Sequence, residues 1–249
     1  MCKDIKDVDN GRYIHRRIWN SSVRENTRIQ TLLMDFYMKC GDVDSAREMF
    51  ESLKHRTIVE YNSLMTAYNN NEYPERAIDL FHTIQEKDNF KPNSMSYMLY
   101  IQACIKCKAF DKGKAIHEEL KQKSSTYNKN KELMNQIVAM YTASGDYQLA
   151  EEYFRQIKEP NVSNYVALMN HYNQSGKWED TLKLYDQMKL QRKIQPDVPT
   201  YLAVLSAIKQ MNNLVQAKQI QEDILKQNLW QNHAEIQKFL GEILKTSDK

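Results

Sequence analysis

Residues 37–50 read YMKCGDVDSAREMF and residues 141–154 read YTASGDYQLAEEYF. Tyr37, Gly41, Ala46 and Phe50 thus return as Tyr141, Gly145, Ala150 and Phe154, each 104 positions on. A second frame repeats at the same distance, with Tyr68, Ala77 and Phe81 answered by Tyr172, Thr181 and Tyr185. A fixed period at helical-hairpin length marks an array whose units are each too small to bury an apolar face and therefore stack on their neighbours. Such an array carries function along an extended surface rather than in one pocket.

Between Thr27 and Lys54 the apolar residues fall first at Leu32, Leu33, Phe36 and Tyr37, then at Val43, Ala46, Met49, Phe50 and Leu53, both sets at helical spacing. Gly41 separates them, ending one helix, and Asp42 stands where it caps the next. The same pattern covers residues 58–86, 94–123, 131–157, 162–191 and 198–227. With the register set by Tyr61, Tyr97, Tyr165 and Tyr201, complete units run over 27–57, 58–93, 94–130, 131–161, 162–197 and 198–233. Their lengths of 31, 36, 37, 31, 36 and 36 residues themselves repeat as short, long, long. Cys2, Gly11, Ile14, His15 and Ile18 match Cys104, Gly113, Ile116, His117 and Leu120, so residues 2–26 read as a partial unit and 234–249 as another. Terminal repeats normally carry a polar cap, and these two partial ends predict a fragment of a longer array. The expected fold is all-α: a right-handed α-solenoid of stacked helix-turn-helix repeats forming one domain over residues 1–249.

Composition agrees with helices. Only six Gly and five Pro are present among 249 residues, too few for the turns of an all-β chain. The net charge of +3 permits a nucleic-acid partner without arguing for one. Cys2, Cys40, Cys104 and Cys107 are too few and too scattered for a disulfide scaffold. No stretch approaches the roughly 18 consecutive apolar residues of a membrane span. Asp4, Asp7 and Asp9 argue against a transit peptide at the start of the chain, because such leaders are poor in acids.

The two stretches quoted above, with VEYNSLMTAY at 59–68 and the KPN and QPD ends at Asn93 and Asp197, resemble pentatricopeptide repeats. The alternation of 31-residue and longer units is similar to the subclass known from organelle RNA-editing specificity factors. The resemblance covers residues 2 to about 244, with no Trp where a tetratricopeptide repeat has one. It implies binding of single-stranded RNA at about one base per repeat, as a specificity module for RNA processing or editing in a mitochondrion or plastid. An RNA-modifying or processing enzyme is the partner it implies; no cofactor, small-molecule substrate or membrane enters. The runner-up is a protein-binding helical scaffold of tetratricopeptide type, which the same hairpins support.

By this resemblance the fifth and last residues of each unit read the base. The pairs are Thr31 with Thr57, Asn62 with Asn93, Met98 with Asn130, Asn135 with Asn161, Val166 with Asp197, and Leu202 with His233. Helical geometry agrees with the first member: Leu64 and Tyr68 face the core, so Asn62 lies on the opposite flank with Thr66 and Asn69. An Asn amide offers a donor and an acceptor, which suits a pyrimidine edge, and the Asn-Asn pairs resemble pyrimidine readers. Thr31 resembles a purine reader, whereas Met98, Val166 and Leu202 have no hydrogen bond to offer a base. Lys39, Lys106 and Lys209, near the ends of first helices, are the candidate phosphate contacts.

Other constellations read as structure. Cys104 and Cys107 fall within one helix and lack the second pair that a zinc site needs. His15 and His117 are repeat-equivalent and read as packing residues. Charge clusters such as Glu151, Glu152 and Arg155 read as solvated faces of second helices. No His-x-Glu with Pro-Cys-x-x-Cys, phosphate-binding glycine loop or nucleophile elbow is present, so the chain reads as a binding protein and not an enzyme.

Overall fold

The computed structural model describes residues 5–54, 56–86, 90–123, 130–191, 194–227, 229 and 233–245. The described residues form helices and no strands: α1 (Ile5–Trp19), α2 (Thr27–Cys40), α3 (Val43–Ser52), α4 (Ile58–Asn70), α5 (Pro74–Glu86), α6 (Ser94–Lys106) and α7 (Phe110–Lys123). These are followed by α8 (Lys131–Ser144), α9 (Tyr147–Gln156), α10 (Val162–Gln174), α11 (Trp178–Leu190), α12 (Val198–Met211), α13 (Leu214–Lys226) and α14 (Ala234–Lys245). The backbone clusters into two compact units, Met1–Gln136 and Ile137–Lys249, with the division inside α8.

First helices start at a capping residue for a local electrostatic reason. The leading backbone N–H groups of a helix have no partner within it, and a short polar side chain just before it accepts from them. Asn26, Thr57, Asn93, Asn161 and Asp197 cap α2, α4, α6, α10 and α12 in this way, and Asn130 Oδ1 accepts from Leu133 N–H at 2.9 Å to cap α8.

The turn inside each hairpin is a second repeated device. The fifteenth residue of every complete unit has positive φ: Gly41, Glu72, Lys108, Gly145, Gly176 and Asn212. At the first of these, Asp42 N–H donates to Tyr37 C=O at 3.0 Å and Gly41 N–H to Met38 C=O at 3.2 Å, closing the end of α2. A left-handed residue there lets the chain reverse while the last carbonyls stay bonded.

Within Met1–Gln136, α4 packs against its hairpin partner α5, against the preceding α2 and α3, and against the following α6, while α5 also reaches α6. Within Ile137–Lys249 the same scheme joins α10, α11 and α12, and α12 continues to α13 and α14. The architecture is thus one of stacked helical hairpins, as in an α-solenoid. Aromatic contacts carry the stacking and recur with the period. Phe50 meets Tyr61 edge-on at 4.9 Å, and Phe154 meets Tyr165 edge-on at 4.9 Å. Ala46 and Ala150 are fully buried. Each ring pair adds about 0.5–1.5 kcal/mol beyond its buried area.

Candidate nucleic-acid interface

Asn93, the last residue of its unit, caps α6, and α6 stacks beside α4. That stacking carries the last residue of this unit back toward its own fifth residue. In Met1–Gln136 this brings Asn62 and Asn93, separated by 31 positions, into contact: Asn62 Nδ2 donates to Asn93 Oδ1 at 3.2 Å. Asn93 Oδ1 also accepts from Ser96 N–H at 3.0 Å as the cap of α6. Asn93 N–H donates to Ser96 Oγ at 3.2 Å, and Ser96 Oγ–H donates to Asn62 Oδ1 at 2.8 Å. Asn62 and Ser96 are buried while Asn93 is exposed, so the cluster opens to solvent on the Asn93 side.

The remaining proposed readers take varied positions. Thr31 is half-buried on α2. Thr57 is exposed, and its Oγ1 and N–H both donate to Glu60, at 2.6 and 2.8 Å. Met98 is half-buried on α6, and Asn130 is half-buried at its capping position. Asn135 is buried and donates from Nδ2 to Lys131 C=O at 3.0 Å. In Ile137–Lys249, Asn161 is exposed and accepts from Asn164 N–H at 2.9 Å. Asp197, also exposed, accepts from Thr200 N–H at 3.0 Å and from its Oγ1 at 2.6 Å. Val166 and Leu202 are half-buried, and half-buried His233 accepts from Gln237 N–H through its carbonyl at 3.3 Å. Asn135 and Asn161 belong to different compact units.

The three lysines differ in their surroundings. Lys39 is exposed at the mouth of a cleft of about 630 Å³ between α2 and α4, with Asp35, Ser63, Thr66 and Asn70 also on its walls. Lys106 donates to Asn69 C=O. Lys209 pairs with Glu242 at 2.9 Å and sits over the Phe239 ring at 5.1 Å.

The roles of three further polar residues escaped the sequence reading, which placed Asn69 on the flank opposite the core and did not single out the other two. Asn69 on α4 is fully buried and donates from Nδ2 to Leu99 C=O on α6 at 2.9 Å. Asn173 on α10 is buried and donates to Ala203 C=O on α12 at 2.8 Å. Both donor and acceptor of the second bond lie 104 positions beyond those of the first, and that recurrence was the available signal. Ser96 is the third. Its signal was the Asn-x-x-Ser spacing of a capping box, answered by Asp197 and Thr200.

Burial explains the titrating residues nearby without catalysis. It pushes the Cys104 thiol up to about 12 and, with Lys121 adding to it, the His117 imidazole down to about 4. His15, half-buried with Nδ1 3.0 Å from Tyr37 Oη, is also lowered by burial. Both histidines sit in helix contacts, in keeping with packing roles.

The model of the PPR repeat matches residues 31–58 and 61–89, and that of the PPR repeat family matches 160–210. A chloroplastic pentatricopeptide repeat-containing protein of Arabidopsis thaliana is 28% identical over 92% of the chain, which spans 28% of that relative. A mitochondrial one from the same plant is 28% identical over 92% of the chain, covering 32% of its length. The mitochondrial pentatricopeptide repeat-containing protein OGR1 of Oryza sativa is 29% identical over 77% of the chain and 33% of its own length. The chain thus spans about a third of these relatives. The crystal structure of PPR10 from maize shares the fold, with a TM-score of 0.57 and 20% identity over 90% of this chain and 37% of that one. PPR10 in complex with an 18-nucleotide psaJ RNA element superposes with a TM-score of 0.53 at 19% identity, over 90% of this chain and 39% of that one. With the repeat models matched in both compact units, relatives of one name along most of its length and the stacked hairpins of PPR10, the chain carries pentatricopeptide repeats.

Proposed function

We propose that this chain binds single-stranded RNA along its first helices, about one base per repeat, as a specificity module for RNA processing or editing in an organelle. The observation that carries the reading is the meeting of Asn62 and Asn93 at 3.2 Å beside solvent, since these are the two positions that the family resemblance assigns to a base. Two amides there offer several donors and acceptors at once, as a base edge requires. Support for an RNA partner comes from PPR10, which has been crystallised with RNA. Support for an organelle comes from relatives named chloroplastic and mitochondrial. The role is binding, and an RNA-modifying or processing enzyme acts as partner.

Lys39 is the clearest phosphate contact, because it is exposed beside the α2–α4 cleft. Lys106 and Lys209 reach phosphate only by exchanging their present partners, Asn69 C=O and Glu242. Binding is therefore expected to be weakly cationic. If all three lysines contact phosphates, log affinity falls against log salt with a slope of roughly −2, at about −0.7 per phosphate on a single strand. Filter binding with a randomised single-stranded RNA checks this. A folded sample that retains no RNA at low salt overturns the reading.

A further inference from the structure

We infer that Ser96 is a positioning residue for base reading: it fixes which way the Asn62 amide faces, and so which pyrimidine the second repeat accepts. The inference rests on the RNA-binding reading above and assigns a residue outside the fifth and last positions.

An Asn side chain can present its oxygen and nitrogen in either order, and only its neighbours decide. Here the decision starts at two backbone groups that can only donate. Ser96 N–H donates to the Asn93 side chain at 3.0 Å, so the atom facing it must be the oxygen, Oδ1. Asn62 presents its amide to that same oxygen at 3.2 Å and must turn nitrogen toward it. On the other side, Asn93 N–H donates to Ser96 Oγ at 3.2 Å and occupies one of its lone pairs. The hydroxyl proton then has two acceptors in reach, Asn62 Oδ1 at 2.8 Å and Asn93 Oδ1 at 3.1 Å, and the second already accepts from two N–H groups, so the proton points at Asn62 Oδ1. Reversing the Asn62 amide would set two acceptors against each other at Asn93 and turn the Ser96 hydroxyl from its 2.8 Å bond with Asn62 Oδ1 to the longer one of 3.1 Å with Asn93 Oδ1. Ser96 is fully buried, so water does not replace it easily.

After these bonds one N–H and one oxygen lone pair of Asn62 remain, in a fixed order. Uracil and cytosine carry opposite donor and acceptor patterns at N3 and C4. An amide locked in one direction therefore distinguishes them, whereas one free to turn over accepts both. The unit in Ile137–Lys249 with the same register supplies the contrast. Thr200, 104 positions after Ser96, makes the same cap with Asp197, but Val166 stands where Asn62 does and has no amide to orient.

The test is selection from a randomised single-stranded RNA pool with the intact chain, Ser96→Ala and Ser96→Thr in parallel. Asn62→Thr serves as the marker of which RNA position the second repeat reads. At that position the parent is expected to separate uracil from cytosine, and Ser96→Ala to reduce that ratio roughly two- to tenfold, the worth of one hydrogen bond. Selection at other positions stays unchanged, and Ser96→Thr restores the ratio, since Thr200 shows that the cap accepts a threonine. A purely structural role would weaken all positions together and lower the melting temperature without changing this ratio. If Ser96→Ala fails to fold, Ser96→Cys, of similar size and only a weak donor, takes its place with the same two outcomes. A parent that takes uracil and cytosine equally there, or a variant as selective as the parent, overturns the role of Ser96 alone. A folded parent that enriches no base at any position overturns the RNA reading, and this role with it.

Discussion

Asn69 and Asn173 are the same residue of the repeat, each clamping its own first helix to a backbone carbonyl of the next. Their oxygens meet different fates. Thr181 Oγ1 donates to Asn173 Oδ1 at 2.7 Å, but the matching residue in the other compact unit is Ala77, and Asn69 Oδ1 is buried with no donor among the described residues. Leaving such an acceptor dry costs about 1–3 kcal/mol. Ala77→Thr is therefore expected to be more stable than Ala77→Val, which has the same shape without the hydroxyl, by about 1–2 kcal/mol in urea denaturation. Equal midpoints for the two variants would show that Asn69 Oδ1 has no need of a donor. This clamp was hard to read in the sequence: Asn69 falls on the flank opposite the apolar stripe, where a polar residue is ordinarily solvated. Only the stacked neighbouring helix buries it. The Tyr and Ala positions of the core were legible, because their burial follows from helical spacing alone.

At the scale of elements, the hairpin turn was visible wherever Gly marked it and hidden elsewhere. Gly41, Gly145 and Gly176 occupy the left-handed turn position, yet Glu72, Lys108 and Asn212 adopt the same conformation at the same place in their units. A side chain with a Cβ is strained there by about 1–2 kcal/mol, and Asn less so because its short polar chain tolerates it. Lys108→Gly removes that strain while making the unfolded chain more flexible, so a net gain of about 0.5–1 kcal/mol is expected. Asn212→Gly should change little. Urea midpoints of both variants against the parent check the pair, and a loss of stability in Lys108→Gly would mean that the side chain supports the turn. The caps tell the same story from the other end of the hairpin. The residue types at Thr57, Asn93, Asn130, Asn161 and Asp197 suit capping as well as base reading, and the structure puts each at a helix start. Capping occupies the side-chain oxygen. For the Asn residues the cap leaves the amide nitrogen unused.

Across the molecule, acid should weaken the fold from within. His117 on α7 is almost completely buried and held neutral, with burial and Lys121 lowering it to about 4. An unfolded histidine titrates near 6.5, so the unfolded chain takes up the proton first and stability falls as pH drops from about 6.5 toward 4. The expected loss at pH 5 is about 2 kcal/mol relative to pH 7.5. His117→Gln should remove most of it, measured as urea midpoints at the two pH values; an unchanged pH dependence in that variant would place the effect elsewhere. The amino-acid sequence by itself determined the hairpins, their period, the aromatic core and the type of residue at each cap. All of these follow from side-chain spacing within a single helix or turn, where distance along the chain equals distance in space. Only the tertiary structure decided that Asn62 meets Asn93 and Ser96, that Asn69 reaches Leu99, and that Lys106 and Lys209 are engaged while Lys39 lines a cleft. Those partners lie about one repeat apart, and they meet because hairpins that cannot bury their apolar faces alone must stack, which sets polar groups from successive units side by side.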